Sequence, residues 1–294
     1  MNQSRIAVAS IAVMIPLAMY ATAYTNTSQQ VRQDHQKIVI VASFYPLYEF
    51  ASRVGGERVV VSSLVPAGVE PHDWEPTPQD RLKARSADIL IINGAGFESW
   101  AGEMEPKVVV DTSQGVDHGA NPHIWLDPII AKQQVEKIRD ALVSADSANA
   151  EYYEQNAASF LTELDLLDTS IKLQLADCKK LDFIAFHDTF SYFAERYGLT
   201  QHSIHDASPE GEILPQKLHQ VIELAKALGI NVIYSENLVD NRLAETIAGE
   251  LHGGRILVLN PVEGIGQDEQ DAGIGYIQKM HDNVANLKVG LECR

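Results

Sequence analysis

Three histidines and one glutamate, His72, His123, His187 and Glu263, are the residues of this chain best suited to close a metal site. Imidazole nitrogen and carboxylate oxygen are the donors zinc takes in tetrahedral shells, with bonds of about 2.0–2.1 Å. Four protein donors leave no open position for a reactive water, so such a set suits holding an ion rather than hydrolysis. The four are spread too widely to form a local motif, and a chain with 10 histidines offers many chance sets. Their settings say more. His72 lies in Val65-Pro66-Ala67-Gly68-Val69-Glu70-Pro71-His72-Asp73-Trp74-Glu75-Pro76, and His123 lies in Asn121-Pro122-His123-Ile124-Trp125-Leu126-Asp127-Pro128. Proline-rich loops are stiff and can aim an imidazole at low entropic cost. Asp73, Asp127 and Asp188 each follow the histidines closely and could accept their second ring N–H. Helix capping is an equally good use of Asp127 and Asp188.

The elements that must carry these residues fall on either side of one long helical stretch. From Asp146 to Asp177, apolar residues recur at Tyr153, Ala157, Phe160, Leu164, Leu167, Ile171 and Leu175, one stripe at spacings of three and four. Asp146 or Ser147 is placed to cap it, Glu151 suits the first turn, and neither Gly nor Pro interrupts it. About 30 residues at 1.5 Å each predict a rod of roughly 45 Å, a spine between two lobes. Before it, strands are expected at 38–42, 58–64, 88–93 and 107–110. Thr77-Pro78-Gln79-Asp80 is a helix start with a cap, a first-turn Pro and a carboxylate three residues on. After it, strands are expected at 183–186, 200–204, 231–235 and 255–259, with helices closed by Gly198, Gly229 and Gly253-Gly254. The apolar, β-branched strands alternating with helices imply two three-layer α/β lobes with mostly parallel sheets. Ligands of such sheets bind beyond the C-terminal ends of the strands, and His72, His123, His187 and Glu263 all follow strands.

The division that results is a signal peptide at 1–23, a flexible leader at 24–37, an N-terminal lobe at 38–145, a linking helix at 146–177 and a C-terminal lobe at 178–294. The signal reading rests on Arg5, the apolar run from Ile6 to Ala23 and its Ala21-Thr22-Ala23 ending; a retained membrane anchor is the alternative. A net charge of −17 provides no basic surface for phosphates, which argues against a nucleic-acid partner. The 2 cysteines, Cys178 and Cys293, could pair in an exported chain or remain two thiols.

Pro71-His72-Asp73, Asn121 to Pro128, Phe186-His187-Asp188-Thr189-Phe190-Ser191-Tyr192-Phe193 and Asn260-Pro261-Val262-Glu263-Gly264 are four ordered motifs. Together they resemble the zinc- and manganese-binding solute-binding proteins of ABC importers, the ZnuA-like zinc-uptake proteins and their adhesin-type lipoprotein relatives. Asn149 to Ala157, Ser208-Pro209-Glu210-Gly211-Glu212 and Tyr276 to Asn283 extend the resemblance to about residues 38–290. It implies two α/β lobes joined by one long helix, metal in the cleft between them, and His72, His123 and His187 as ligands. The fourth position varies in the family among Asp, Glu and water, and here Glu263 is assigned to it. The chain departs from many zinc-specific relatives in its short 115–120 loop, which holds only His118, and it lacks the cysteine of a lipoprotein. Manganese-type relatives tend to supply a carboxylate where this chain has His187, and nitrogen donors suit zinc better than manganese. The expectation is therefore a monomeric, extracytoplasmic protein that carries Zn²⁺ to a membrane permease, with Mn²⁺ as the other cargo to test.

The rival readings are a secreted zinc hydrolase and a metal-stabilised surface adhesin. The sequence contains no H-E-x-x-H, no G-x-S-x-G and no phosphate-binding Gly-rich loop, so no enzyme is expected. His202 and His205 are too oddly spaced to share an ion from one strand. His35, His219, His252 and His281, like the Asp268-Glu269-Gln270-Asp271 run, read as solvated. Trp74 and Trp125 are expected to pack beside the site.

Overall fold

The computed structural model describes residues 37–117, 119, 121–206, 208–209 and 213–294. The expected signal peptide, the leader as far as residue 36, His118 and the Glu210-Gly211-Glu212 part of one motif lie outside the described residues. The order of elements is β1 (Ile38–Ala42), α1 (Tyr45–Gly55), β2 (Val59–Ser63), α2 (Pro78–Ser86), β3 (Ile89–Ile92), β4 (Val109–Asp111) and α3 (Pro128–Ala145). Helix α4 (Ala150–Leu175) follows, then β5 (Asp182–Ala185), α5 (Ser191–Tyr197), β6 (Thr200–Ser203), α6 (Pro215–Leu228), β7 (Val232–Ser235) and α7 (Arg242–Gly249). The chain closes with β8 (Arg255–Val258), α8 (Gln267–Asp271) and α9 (Tyr276–Gly290).

The strands form two four-stranded sheets of the same topology, β2-β1-β3-β4 and β6-β5-β7-β8, parallel throughout. Parallel central strands are covered on both faces by helices, so β3 and β7 are buried at every position. Strand order reverses between β1 and β3 and again between β5 and β7, the points where such sheets open a crevice.

Helix α4 carries the expected stripe, and Tyr153, Ala157, Phe160, Leu164, Leu167, Ile171 and Leu175 are all buried. One apolar core runs from β1 and α1 through α3 and α4 to α9, so the two sheets share it. The helix is shorter than the sequence suggests, 26 residues or about 39 Å. Ser147–Asn149 form a separate 3-10 turn, and Asp146 does not cap α4. Its carboxylate accepts from Asn149 Nδ2 at 2.6 Å and from the Tyr153 hydroxyl at 2.9 Å. Just beyond α4, Cys178 is disulfide-bonded to Cys293, which ties the spine to the C-terminus.

Capping at α2 and α3 follows the sequence. Thr77 and Asp80 bond reciprocally around Pro78, and Asp127 accepts the N–H groups of Ile129 and Ile130. Gly198 and Gly229 end α5 and α6 in left-handed conformation. The Asp268-Glu269-Gln270-Asp271 run, read from the sequence as solvated, lies in the short helix α8. Glu269 holds its start by accepting from Gly266 N at 3.2 Å and pairs with Lys279 on α9.

Candidate metal centre

Each of the four side chains is delivered by a segment that follows a strand. His72 lies in the loop between β2 and α2, and His123 in the segment between β4 and α3. His187 is the second residue past β5, and Glu263 stands in the turn after β8. One donor atom from each lies within 4.8 Å of the others. His123 Nε2 is 3.1 Å from His72 Nε2 and 3.3 Å from His187 Nε2. Glu263 Oε1 is 3.3, 3.2 and 3.8 Å from the Nε2 atoms of His72, His123 and His187. A tetrahedral shell with zinc–ligand bonds of about 2.05 Å has edges of about 3.3 Å. The arrangement therefore fits an ion at its centre.

His123, His187 and Glu263 are buried and His72 is partly so. Both carboxylate oxygens of Glu263 are buried without a well-formed hydrogen bond among the described residues, an expensive state unless a cation completes it. Burial would raise the Glu263 carboxyl, but the imidazoles of His123 and His72 and the charge of His187 hold it well below the carboxylate range. Burial pushes His123 down to about 4, against the opposing pull of Glu263, so its ring is neutral with a lone pair to offer. Burial acts on His187 in the same direction, but the carboxylates of Glu236, Glu263 and Glu70 together raise that imidazole. Glu70, which accepts the His72 backbone N–H at 3.2 Å, is pushed up to about 8 by burial and by Glu263.

The residues that orient the rings are not the three aspartates. His123 Nδ1 is 2.8 Å from Asn121 Oδ1, and His187 Nδ1 is 2.7 Å from Glu236 Oε1. Asp127 is committed to capping α3 and to Arg196, and Asp188 accepts from the Ser191 hydroxyl. Asp73 lines a surface cavity with Glu70, His205 and Asp240. Asn121 and Glu236 were missed, yet Glu236 had a visible signal. It is the first residue beyond the apolar strand Val232–Ser235, the rule that singled out His187.

Phe97 was also missed. Its ring meets His72 edge-on at 4.9 Å and Trp125 at 5.4 Å. Trp125 is wholly buried against His123, with ring centroids 5.1 Å apart, and Trp74 packs on Trp100. His202 pairs with Asp182 while His205 lies over Phe186, so the two do not combine.

The turn that presents Glu263 is strained and braced. Val262, a β-branched residue, has φ of 58° and is fully buried. Asn260 Oδ1 accepts its N–H at 2.7 Å, and Asn283 on α9 bonds both the N–H and the carbonyl of Asn260.

Comparison with known proteins accords with this geometry. The chain is 33% identical over 301 residues to the high-affinity zinc uptake system protein ZnuA of Bacillus subtilis, covering 94% of both chains. Its fold matches the crystal structure of the Zn(II)-bound ZnuA-like domain of Streptococcus pneumoniae AdcA with a TM-score of 0.78. That match covers 87% of this chain and 100% of the domain at 33% identity. The laminin-binding protein Lmb of Streptococcus agalactiae, described as bifunctional with adhesin and metal transporting activity, gives a TM-score of 0.78. There the identity is 27%, with 88% of this chain and 99% of that one covered. Residues 40–290 match the family model of the periplasmic zinc-uptake complex component A, and the chain belongs to that family.

Proposed function

We propose that this chain captures one zinc ion between its two lobes, outside the cytoplasm, and hands it to an ABC permease in the membrane. The observation that carries the reading is the convergence of three imidazole nitrogens and one orphaned, buried carboxylate at the edge lengths of a zinc tetrahedron. His72, His123, His187 and Glu263 would exchange with the hydration waters of the ion, and the nitrogen-rich set favours Zn²⁺ over Mn²⁺. All four come from one chain, so capture needs no second copy and a monomer suffices. The division into a signal at 1–23, lobes at 38–145 and 178–294 and a linking helix at 146–177 belongs to the same reading. Nothing in the arrangement asks for turnover, since four protein donors leave no open position on the ion.

Capture here requires little domain movement. Between the loops of the two halves, Asn121 Nδ2 bonds the carbonyl of Asp188 at 2.7 Å and Tyr192 bonds that of Asn121 at 2.8 Å. With α4 as a continuous brace, metal-free and zinc-loaded scattering profiles should nearly coincide. The decisive experiment is competitive titration of metal-stripped protein with Zn²⁺ and Mn²⁺, followed by Trp fluorescence. One tight site per chain that prefers zinc, lost in His123→Ala and weakened at least about tenfold in Glu263→Ala, supports the reading. A preference for manganese would overturn the cargo, and no stoichiometric site would overturn the function.

Adhesion is the second reading, favoured only by the likeness to the laminin-binding protein. Binding of the zinc-loaded chain to immobilised laminin tests it.

A further inference from the structure

We propose that Glu236 is a positioning residue that gives the site its preference for zinc over manganese, an inference that rests on the capture reading above. Glu236 follows β7 directly, at the point where strand order reverses in the second sheet, and is only 3% exposed. Its Oε1 lies 2.7 Å from His187 Nδ1 and 3.3 Å from the His187 backbone nitrogen. A carboxylate oxygen can only accept from them. Nδ1 therefore keeps its hydrogen, and the lone pair of His187 sits on Nε2. That atom faces His123 Nε2 at 3.3 Å and Glu263 Oε1 at 3.8 Å. One oxygen of Glu236 thus fixes the tautomer, the ring rotation and the backbone of a ligand.

A neutral amide would do as much for orientation, and the other half of the site uses one. His123 is held by Asn121 Oδ1 at both Nδ1 and the backbone N–H. Among the described residues no hydrogen bond reaches His72 Nδ1, and Phe97 packs against that ring instead. The three imidazoles are thus backed by a carboxylate, an amide and an aromatic edge. A buried carboxylate is the costly choice, the more so because Oε2 of Glu236 has no hydrogen-bond partner among the described residues. What the charge adds is donor strength, since an imidazole that gives its N–H to a carboxylate is a stronger metal ligand. A stronger nitrogen donor favours zinc more than manganese, which prefers oxygen. Glu236 and Glu263 are both buried, and burial together with the neighbouring Glu263 raises the Glu236 carboxyl against the pull of His187.

The test compares full-length wild type, Glu236→Gln and Glu236→Asp, each stripped of metal and titrated with Zn²⁺ and Mn²⁺ against a chelator of known affinity. Glu236→Gln keeps the size and the acceptor but removes the charge. It should weaken zinc by about 10- to 100-fold and manganese by clearly less, so that the zinc-to-manganese ratio narrows. Glu236→Asp keeps the charge and should retain the zinc preference. Co²⁺ bound in the site should show shifted ligand-field bands in Glu236→Gln. A purely structural role would lower both metals in parallel, leave the cobalt spectrum unchanged and act through the melting temperature of the metal-free protein. Parallel losses, or zinc affinity within twofold of wild type in Glu236→Gln, would overturn the assignment. Should Glu236→Gln fail to fold, loss of the zinc preference in folded Glu236→Asp would overturn it. Absence of a site in the wild type would defeat the capture reading itself, which keeps the two failures distinct.

Discussion

The indole N–H of Trp125 donates to the carbonyl oxygen of Pro261 at 2.8 Å. Trp125 lies two residues beyond His123 and Pro261 two residues before Glu263, so one buried bond ties the segments of two proposed ligands. The Trp125 carbonyl in turn accepts from the Tyr276 hydroxyl on α9 at 2.6 Å. His123 and Glu263 are consequently held as a unit, with Nε2 and Oε1 3.2 Å apart. The other two imidazoles close on that fixed pair.

Trp125→Phe should expose the value of this link. The substitution keeps an aromatic ring but leaves the Pro261 carbonyl buried without its donor and a small void where the indole was. A stability loss of about 2–4 kcal/mol is expected in urea unfolding of the metal-free protein. Zinc affinity should fall as well, because Glu263 is no longer referenced to His123. Unchanged affinity in a folded variant would show that the turn is aimed from elsewhere.

The brace behind Val262 predicts a second loss. Asn283 is buried and bonds both backbone groups of Asn260, at 2.7 and 2.6 Å. Asn283→Ala strands two polar groups in the core, at about 1–3 kcal/mol each. The left-handed Val262 would then relax, and Glu263 would swing with it. Chemical denaturation should show a drop of about 2–5 kcal/mol, and zinc titration a weaker site. Asn283→Asp keeps only the acceptor and should fall between the two.

Much of this site was legible because strand ends are legible. Apolar runs such as Ile89–Ile92 and Val232–Ser235 locate a parallel sheet, and the residues just beyond them become candidates without any local motif. The supporting contacts were harder to see. Asn121 and Glu236 act through pairings that depend on how far a side chain reaches in space, and Asp127 and Asp188 look equally suited by position. Phe97 is reached through consecutive left-handed residues at Gly94, Ala95 and Gly96, a backbone path that only the glycines hint at. The start of α4 was misjudged for a local reason. Asp146 has a cap's chemistry, but it spends its carboxylate on Asn149 and Tyr153 and leaves Ser147–Asn149 to form a tighter turn.

The Cys178–Cys293 bond closes a loop of 115 residues between the end of α4 and the C-terminus. Cross-links that close loops of this length restrict the unfolded chain by about 4–5 kcal/mol. The double variant Cys178→Ser, Cys293→Ser should therefore unfold at markedly lower urea than the oxidised wild type. Neither cysteine contributes to the metal site, so zinc stoichiometry should stay at one per chain. A variant as stable as wild type would show that the bond adds nothing that α9 packing does not already supply.

Glu98 predicts a pH dependence of stability in the first lobe. Its carboxylate accepts from the Ser43 hydroxyl, Asn93 N and Gly94 N at 2.6, 2.8 and 3.0 Å, joining the ends of β1 and β3. Asn93 Nδ2 continues the network to the Pro122 carbonyl beside His123, at 2.8 Å. Burial pushes the Glu98 carboxyl up to about 7, with these hydrogen bonds only partly opposing it. In the unfolded chain the group titrates near 4.3. Between those values the folded protein holds a proton that the unfolded protein lacks, so stability falls as pH rises from about 4.5 to 7. The full change is about 3–4 kcal/mol and levels off about one unit above pH 7. Glu98→Gln removes the titrating group, and its stability should vary less over the same window, whatever its absolute level. Urea unfolding of both proteins at half-unit steps from pH 4.5 to 7.5 measures the two slopes. Identical slopes would mean that Glu98 is ionised throughout and that the three donors, not burial, govern it.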